Sequence, residues 1–555
     1  MRVHSFGVSN RTILLEDDGC FLALSACAST SPDHHPQAIS AHLYTPGQTP
    51  PPYNPLGFHA TGCLGLLSYD NTIWILAAET RPAPQGDNAG HAVETIHNVW
   101  FIPLVGLEKE KKRTADASHL GHPCHHLWKV LTSGYFYFSR QIDLSTRLVN
   151  RAKLEAHRTE VHTPQARTDA SPPLTAPPCV DGTDEFIWNS HLLAPLKKLR
   201  DGLKPDEQAA WDARSFALPV IHGYYGSGKV QTVQGSVTVE SLSRCGWKRA
   251  GVLLLRSGLD DEGNAATFVE TETIISTANK QVSFVQIRGD IPLIYAYVLG
   301  KSSYIHWLSD EYHFAPSSVS ALKLHFEHLL SLYDGPIQVI DIKQHGYRQS
   351  WRYVTALDSA QQANPALKDK VHYQSVRFPN EWMFKKSTIG DGALDVGDTV
   401  ERPLEEMEVT SVDIDQKTGK LALAKEQKGV FRINSDNQLD RTAVAGWALL
   451  VITVQSSCAL LGIEEEDDFE AIKTLQNQLF ATNCDTLALI YSGAKTTCSS
   501  FLHGQHSSVA LGRSAVWEER RAVRAVHGKH VEEAVELLTG QRQNSPQPVL
   551  IPAEL

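Results

Sequence analysis

The stretch "GVFRINSDNQLDRTAV", residues 429 to 444, places a hydroxyl, Ser435, six residues ahead of a guanidinium, Arg441. Between them lie Asp436, Asn437, Gln438, Leu439 and Asp440, with Asn434 before and Thr442 after. Short polar residues closing onto an arginine suit a phosphate. Backbone N–H groups of a tight turn converge on an anion, and an arginine can hold two of its oxygens at once. Ser435 then stands where a nucleophile would act. Asp440 and Arg441 capping a helix would account for the same residues without any ligand.

Such a loop needs a rigid strand before it and a helix after it. "KGVFRI" reads as a strand, "NSDNQ" as a polar turn, and "DRTAVAGWALLVI" as an apolar helical body. Residues 443 to 463 are uncharged over a length that could span a bilayer, but Gln455, Ser456 and Ser457 interrupt them, which favours a buried core helix. Upstream, "GVLLLRSGLD", "QVSFVQIRG", "GPIQVIDI" and "GKLALAKEQKGVFRI" read as strands. They alternate with helical "SSVSALKLHFEHLLSLYD", "FEAIKTLQNQLF" and "HVEEAVELLTG". This predicts an α/β domain with α+β character over residues 184–540. Residues 1–155 give short apolar runs broken by Pro and Gly and predict a β-rich module. Residues 156–183, rich in Pro, Ala, Ser and Thr, predict a linker or long loop, and 541–555 a tail.

The 555 residues carry a net charge of -11 and a pI near 6.1. That argues against bulk attraction to nucleic acid or to an acidic bilayer, so any anion site must be local. Nine scattered cysteines without a C-x-x-C pair point to a reducing compartment. The first residues lack a basic flank followed by an apolar core, and a cytoplasmic location is expected.

Three other motifs weigh less. "GYYGSGKV" (223 to 230) matches G-x-x-x-x-G-K but follows it with Val230, which has no hydroxyl for magnesium, so a Gly-rich turn between strands is expected. "SHLGHPCHH" offers His119, His122, Cys124, His125 and His126 at a spacing that fits no zinc module, and reads as an exposed polar loop. "DIDQKTGK" from Asp413 lacks the glycine and closing glutamate of a calcium loop and reads as a hairpin turn. No metal and no cofactor is expected.

"RAGVLLLRSGLDDEGNAATFVETETI", "SFVQIRGDIPLIY" and "GVFRINSDNQLDRTAV", in that order, resemble the Sac-domain phosphoinositide phosphatases, the family of the synaptojanin Sac module. "LGLLSYDNTIWILAAET", "GYFYFSRQIDLS", "FIWNSHLL", "FALPVIHGYYG" and "DTLALIYSGA" extend the resemblance over roughly residues 60 to 540. It implies an N-terminal β-rich subdomain packed on an α/β catalytic-type domain with a strand–loop–helix phosphate site. The implied ligands are phosphoinositide headgroups at membrane surfaces, met by a protein peripheral to endomembranes.

The family loop reads R-x-N-C-x-D-[CN]-L-D-R-T-N, with a nucleophilic cysteine and a phosphate-binding arginine. Arg432, Asn434, Leu439, Asp440, Arg441 and Thr442 fit it. The cysteine position is Ser435, the position of the proposed acid is Asn437, an aspartate stands one place early as Asp436, and Ala443 replaces the last Asn. A thiol at a helix N-terminus beside an arginine is readily ionised. A serine needs an adjacent base, and no histidine lies in the loop. The resemblance with these departures implies phosphate binding through Asn434, Asp436, Gln438, Leu439, Arg441 and Thr442, with Lys248, Arg249 and Arg288 as candidate rim cations. It implies impaired catalysis at Ser435, Asn437, Asp440 and Arg441. A scaffold working with protein partners of a phosphoinositide-regulating complex is one form of that reading, and a phosphatase of low or rerouted activity is the alternative.

Overall fold

The computed structural model describes residues 1–6, 12–26, 38–70, 72–84, 92–104, 115–161, 184–252, 256–297, 312–314, 317–343, 348–377, 386–434, 439–496, 498–503, 528–542 and 549–552. It is a mixed α/β structure. A six-stranded sheet is built from Arg2–Phe6, Thr12–Asp17, Cys20–Ala26, Ala38–Tyr44, Asn54–His59 and, from the far end of the chain, Val549–Pro552, which pairs parallel to Ala38–Tyr44. A second sheet of 13 strands begins with Gly62–Tyr69, Thr72–Pro82 and Val93–Pro103. It continues through Phe136–Ser139 into Ile221–Thr232 and ends on Val371–Arg377. The helix Leu148–Val161 carries into the start of the segment read as a linker, and 162–183 lie outside the described residues.

The strand order places the polar turn. Lys280–Gly289, Val430–Asn434 (the loop strand), Ile337–Lys343 and Val371–Arg377 run parallel, and their carboxyl ends share one edge. The register sets Gly289, Asn434 and Asp341 side by side on that edge. Alternation along the loop strand splits its side chains. Phe431 and Ile433 enter the core under Asp440–Leu460 (the loop helix), together with Val444, Ala445 and Leu449. Arg432 turns to the opposite face and meets His325 of the helix Ser318–Leu332. Gly446 lets the loop helix approach the sheet: a Cβ there would lie 3.0 Å from Phe480 and 3.1 Å from the Gln286 carboxamide.

The apolar run is thus a core helix. It is the one helix among the described residues long and apolar enough to cross a membrane, and most of its apolar window is buried. The hairpin at "DIDQKTGK" forms as expected between Thr410–Ile414 and Leu421–Lys425. Two other readings are corrected. "GYYGSGKV" is no turn: it lies inside Ile221–Thr232, paired residue for residue with Gly235–Cys245, because Gly223 tolerates its φ of 149° and the pairing satisfies the whole backbone. "GVLLLRSGLD" forms no regular strand among its described residues. Leu259 makes only an isolated bridge to Ala265, and Asp290 accepts the Gly258 N–H at 2.7 Å. The histidine cluster is only partly exposed, since His122 and Cys124 are buried near Trp74 and a helix starts at His125. Among the described residues no group of three His, Cys, Asp or Glu could hold a metal.

Candidate functional site

The described structure brackets the turn on both sides. Asn434 ends the loop strand fully buried. Leu439 precedes the loop helix, whose first turn of Asp440, Arg441 and Thr442 is buried, with Arg441 at 5% exposure. Ser435, Asp436, Asn437 and Gln438 lie outside the described residues. A strand end followed closely by a buried helix start is a setting in which the helix dipole and the first amide N–H groups favour an anion. The Thr442 hydroxyl is buried without a hydrogen bond among the described residues, and the buried Asn434 carboxamide lies beside the Tyr353 hydroxyl.

Two further arginines lie against this framework, one on each face of the sheet. Arg432 is fully buried. Its Nε donates to His325 Nε2 at 3.0 Å and one Nη donates to the Asp290 carbonyl at 3.0 Å. His325 Nδ1 lies 2.9 Å from the Gly263 carbonyl, which assigns the ring proton to Nδ1 and leaves Nε2 to accept from Arg432. Burial pushes the Arg432 guanidinium down to about 10, against the opposing pull of the Tyr353, Asp290 and Asp341 groups. It therefore stays charged at neutral pH. Arg288, 7% exposed, pairs in register with Ile433 and so shares the face of the loop helix. Among the described residues neither arginine has a carboxylate within ion-pair distance, and each keeps one Nη without a partner. Buried cations without counterions raise the local affinity for an anion.

The other two rim candidates are occupied elsewhere. Lys248 Nζ pairs with Glu185 at 3.0 Å, and Arg249 donates to the Ser257 carbonyl at 2.8 Å. Sequence reasoning did not single out Asp341. Its register partner is Asn434, and it accepts a bond from the Tyr373 hydroxyl at 2.9 Å. The only signal for it was an acid inside the apolar run "GPIQVIDI".

No thiolate is supplied from neighbouring elements among the described residues. The Cys498 thiol donates to the Asp440 carbonyl at 3.7 Å and is held well above its ordinary value, first by burial and then by Asp440. Burial also pushes Cys484 up to about 12 and Cys245 up to about 11, against the smaller effect of Arg288 on each. All three are protonated at neutral pH and act as small core residues.

Comparison with known proteins gives this geometry a family. The SacI homology domain model matches residues 61–382, more than half of the chain, and that match ends before the turn. Polyphosphatidylinositol phosphatase INP53 of Saccharomyces cerevisiae is 26% identical over 400 residues, covering 70% of this chain and 33% of the relative. Inositol-1,4,5-trisphosphate 5-phosphatase 1 of Schizosaccharomyces pombe is 26% identical over 443 residues, 79% of this chain and 37% of the relative. Phosphatidylinositol-3-phosphatase SAC1-A of Danio rerio is 28% identical over 387 residues, 67% of this chain and 57% of the relative. The chain therefore spans about a third of the first two relatives and little over half of the third. The family model covers more than half of the chain, and the chain belongs to the SacI homology domain family.

Proposed function

We propose that this protein binds phosphoinositide headgroups at membrane surfaces in the turn between Asn434 and Asp440, and that its phosphatase chemistry is impaired. The relatives' names supply the ligand class, and Arg288 and Arg432, without ion pairs among the described residues, support it. The observation that carries the impairment is that Ser435 replaces the thiol while Cys245, Cys484 and Cys498 are all buried and protonated. Without an activated nucleophile, turnover falls on the order of 10³- to 10⁶-fold. Binding does not need sulfur, because Arg441, the helix dipole and the amide cradle act by charge and hydrogen bonding. The protein then works as a headgroup-binding scaffold, peripheral to endomembranes and joined to partners that regulate phosphoinositides.

The second reading, a slow phosphatase, draws on Asp341, whose carboxylate neighbours Asn434 and offers a base for Ser435 or water. Phosphate release from dibutanoyl phosphoinositides separates the two. The impaired reading expects none above buffer for the native protein, and only a small gain for Ser435→Cys, because Asn437 cannot protonate the leaving inositol oxygen. Native turnover abolished by Asp341→Asn would establish the second reading. Full family-level turnover by Ser435→Cys would show that Asn437 is harmless.

A further inference from the structure

A chain of net charge -11 gains little long-range attraction to an acidic bilayer, so a membrane-facing headgroup site needs an anchor that does not depend on charge. Trp351 is the one aromatic among the large hydrophobic side chains exposed in the described structure, at 70% exposure. It lies in the first turn of the helix Arg348–Ala363, which follows the carboxyl end of Ile337–Lys343 and so starts at the edge that carries the turn. Tyr353, two residues on, is fully buried within electrostatic reach of Arg432 and Asp341 and beside Asn434. Two helical residues are about 200° apart around the axis, so Tyr353 fixes the helix to the loop strand while Trp351 points away from the core. Arg352 beside it is also exposed. Exposed Leu324 and Leu394 occupy the first halves of Ser318–Leu332 and Lys386–Met407, which begin at the same edge.

We infer that Trp351 is a bilayer anchor: its indole enters the interfacial layer and holds the carboxyl edge of the sheet at headgroup depth. The amphipathic indole ring suits that layer. The occupant is a lipid bilayer because the adjoining site takes a lipid headgroup, so the inference rests on the proposed function.

The test uses sedimentation of the full chain with vesicles of phosphatidylcholine and phosphatidylserine, with and without a phosphatidylinositol monophosphate. Trp351→Ala is expected to weaken binding to both vesicle types by about 10-fold, and Trp351→Phe by less. The loss should persist at high salt. Affinity for monomeric dibutanoyl phosphatidylinositol phosphate should not change. Brominated acyl chains should quench native fluorescence more than that of Trp351→Ala. Equal vesicle binding by native and Trp351→Ala proteins, with equal quenching, would overturn the anchor. A native protein that fails to bind the monomeric lipid would overturn the headgroup site instead, while Trp351-dependent binding to plain vesicles would still uphold the anchor.

Discussion

Two buried arginine settings in one sheet differ in a way that separates structure from function. Arg244 is fully buried and saturated. It donates to Glu270 at 2.6 Å, to Glu272 at 2.7 Å and to the carbonyls of Leu144 and Thr146, while Tyr333 and the Leu148 N–H complete the acids' bonding. Arg432 and Arg288, on the loop strand and its parallel neighbour, lie without carboxylates in ion-pair reach among the described residues. With Arg147 3.7 Å from Glu270, two cations face two acids, and the cluster fastens residues 144 to 148 to the sheet. Arg432 feels Asp290 and Asp341 only at longer range, so these two arginines are not locked into ion pairs as Arg244 is.

Breaking the balanced cluster should give the largest effect. Arg244→Met removes both close charge-assisted bonds and leaves Glu270 with Arg147 alone at 3.7 Å and Glu272 with only the longer-range pull of Arg151, and is expected to cost about 3–5 kcal/mol in urea unfolding. Little loss would mean that the cluster is hydrated in solution. Next is Arg441→Ala, which should weaken binding of a monomeric phosphoinositide by about 10- to 150-fold, equivalent to about 1.5–3 kcal/mol, as read by calorimetry. Unchanged affinity would remove the turn from the binding site.

Acid sharpens the comparison from the side of Arg432. Burial holds His325 well below its ordinary value, and the Arg432 guanidinium lowers it further, while burial against Phe136 and Trp188 takes His222 down to about 3. The unfolded chain takes up protons on both rings as pH falls through about 6.5 and the folded chain does not. Stability contributed by these neutral rings is therefore fully present above that pH. It is lost toward acid by up to about 1.4 kcal/mol per pH unit per ring. Thermal melts at pH 7 and pH 5 should show the drop, and His325→Gln should lessen it. The smallest effect is expected for Arg288→Met, which removes a cation with no ion pair among the described residues. Its stability in phosphate-free buffer should change by about 1 kcal/mol or less, and stabilisation by added phosphate should shrink relative to the native chain. A large destabilisation would show that Arg288 serves the fold, as Arg244 does.

The strand and the helix on either side of residues 435–438 were legible because their signals are local. Both follow from the apolar pattern of residues 428 to 460, and the proposal of impaired chemistry rests on the residue types of Ser435 and Asn437 alone. Local signals misled where backbone pairing overrode composition: Gly223, Gly226 and Gly228 suggest a turn, yet pairing with Gly235–Cys245 holds them in a strand. Lys248 and Arg249 looked as available as Arg288, because a sequence does not show that Glu185 and the Ser257 carbonyl engage the first two.

The sequence by itself determined the family and the mixed α/β class, since both depend on residue types and apolar patterns at short spacing. Tertiary structure decided which distant groups share the loop. Parallel register brings Asp341 beside Asn434 and Arg288 beside Ile433, and helix packing seats His325 on Arg432 while turning Trp351 outward. Those placements depend on which strands pair and which faces are buried, and both are settled by burial and backbone hydrogen bonding across the whole chain.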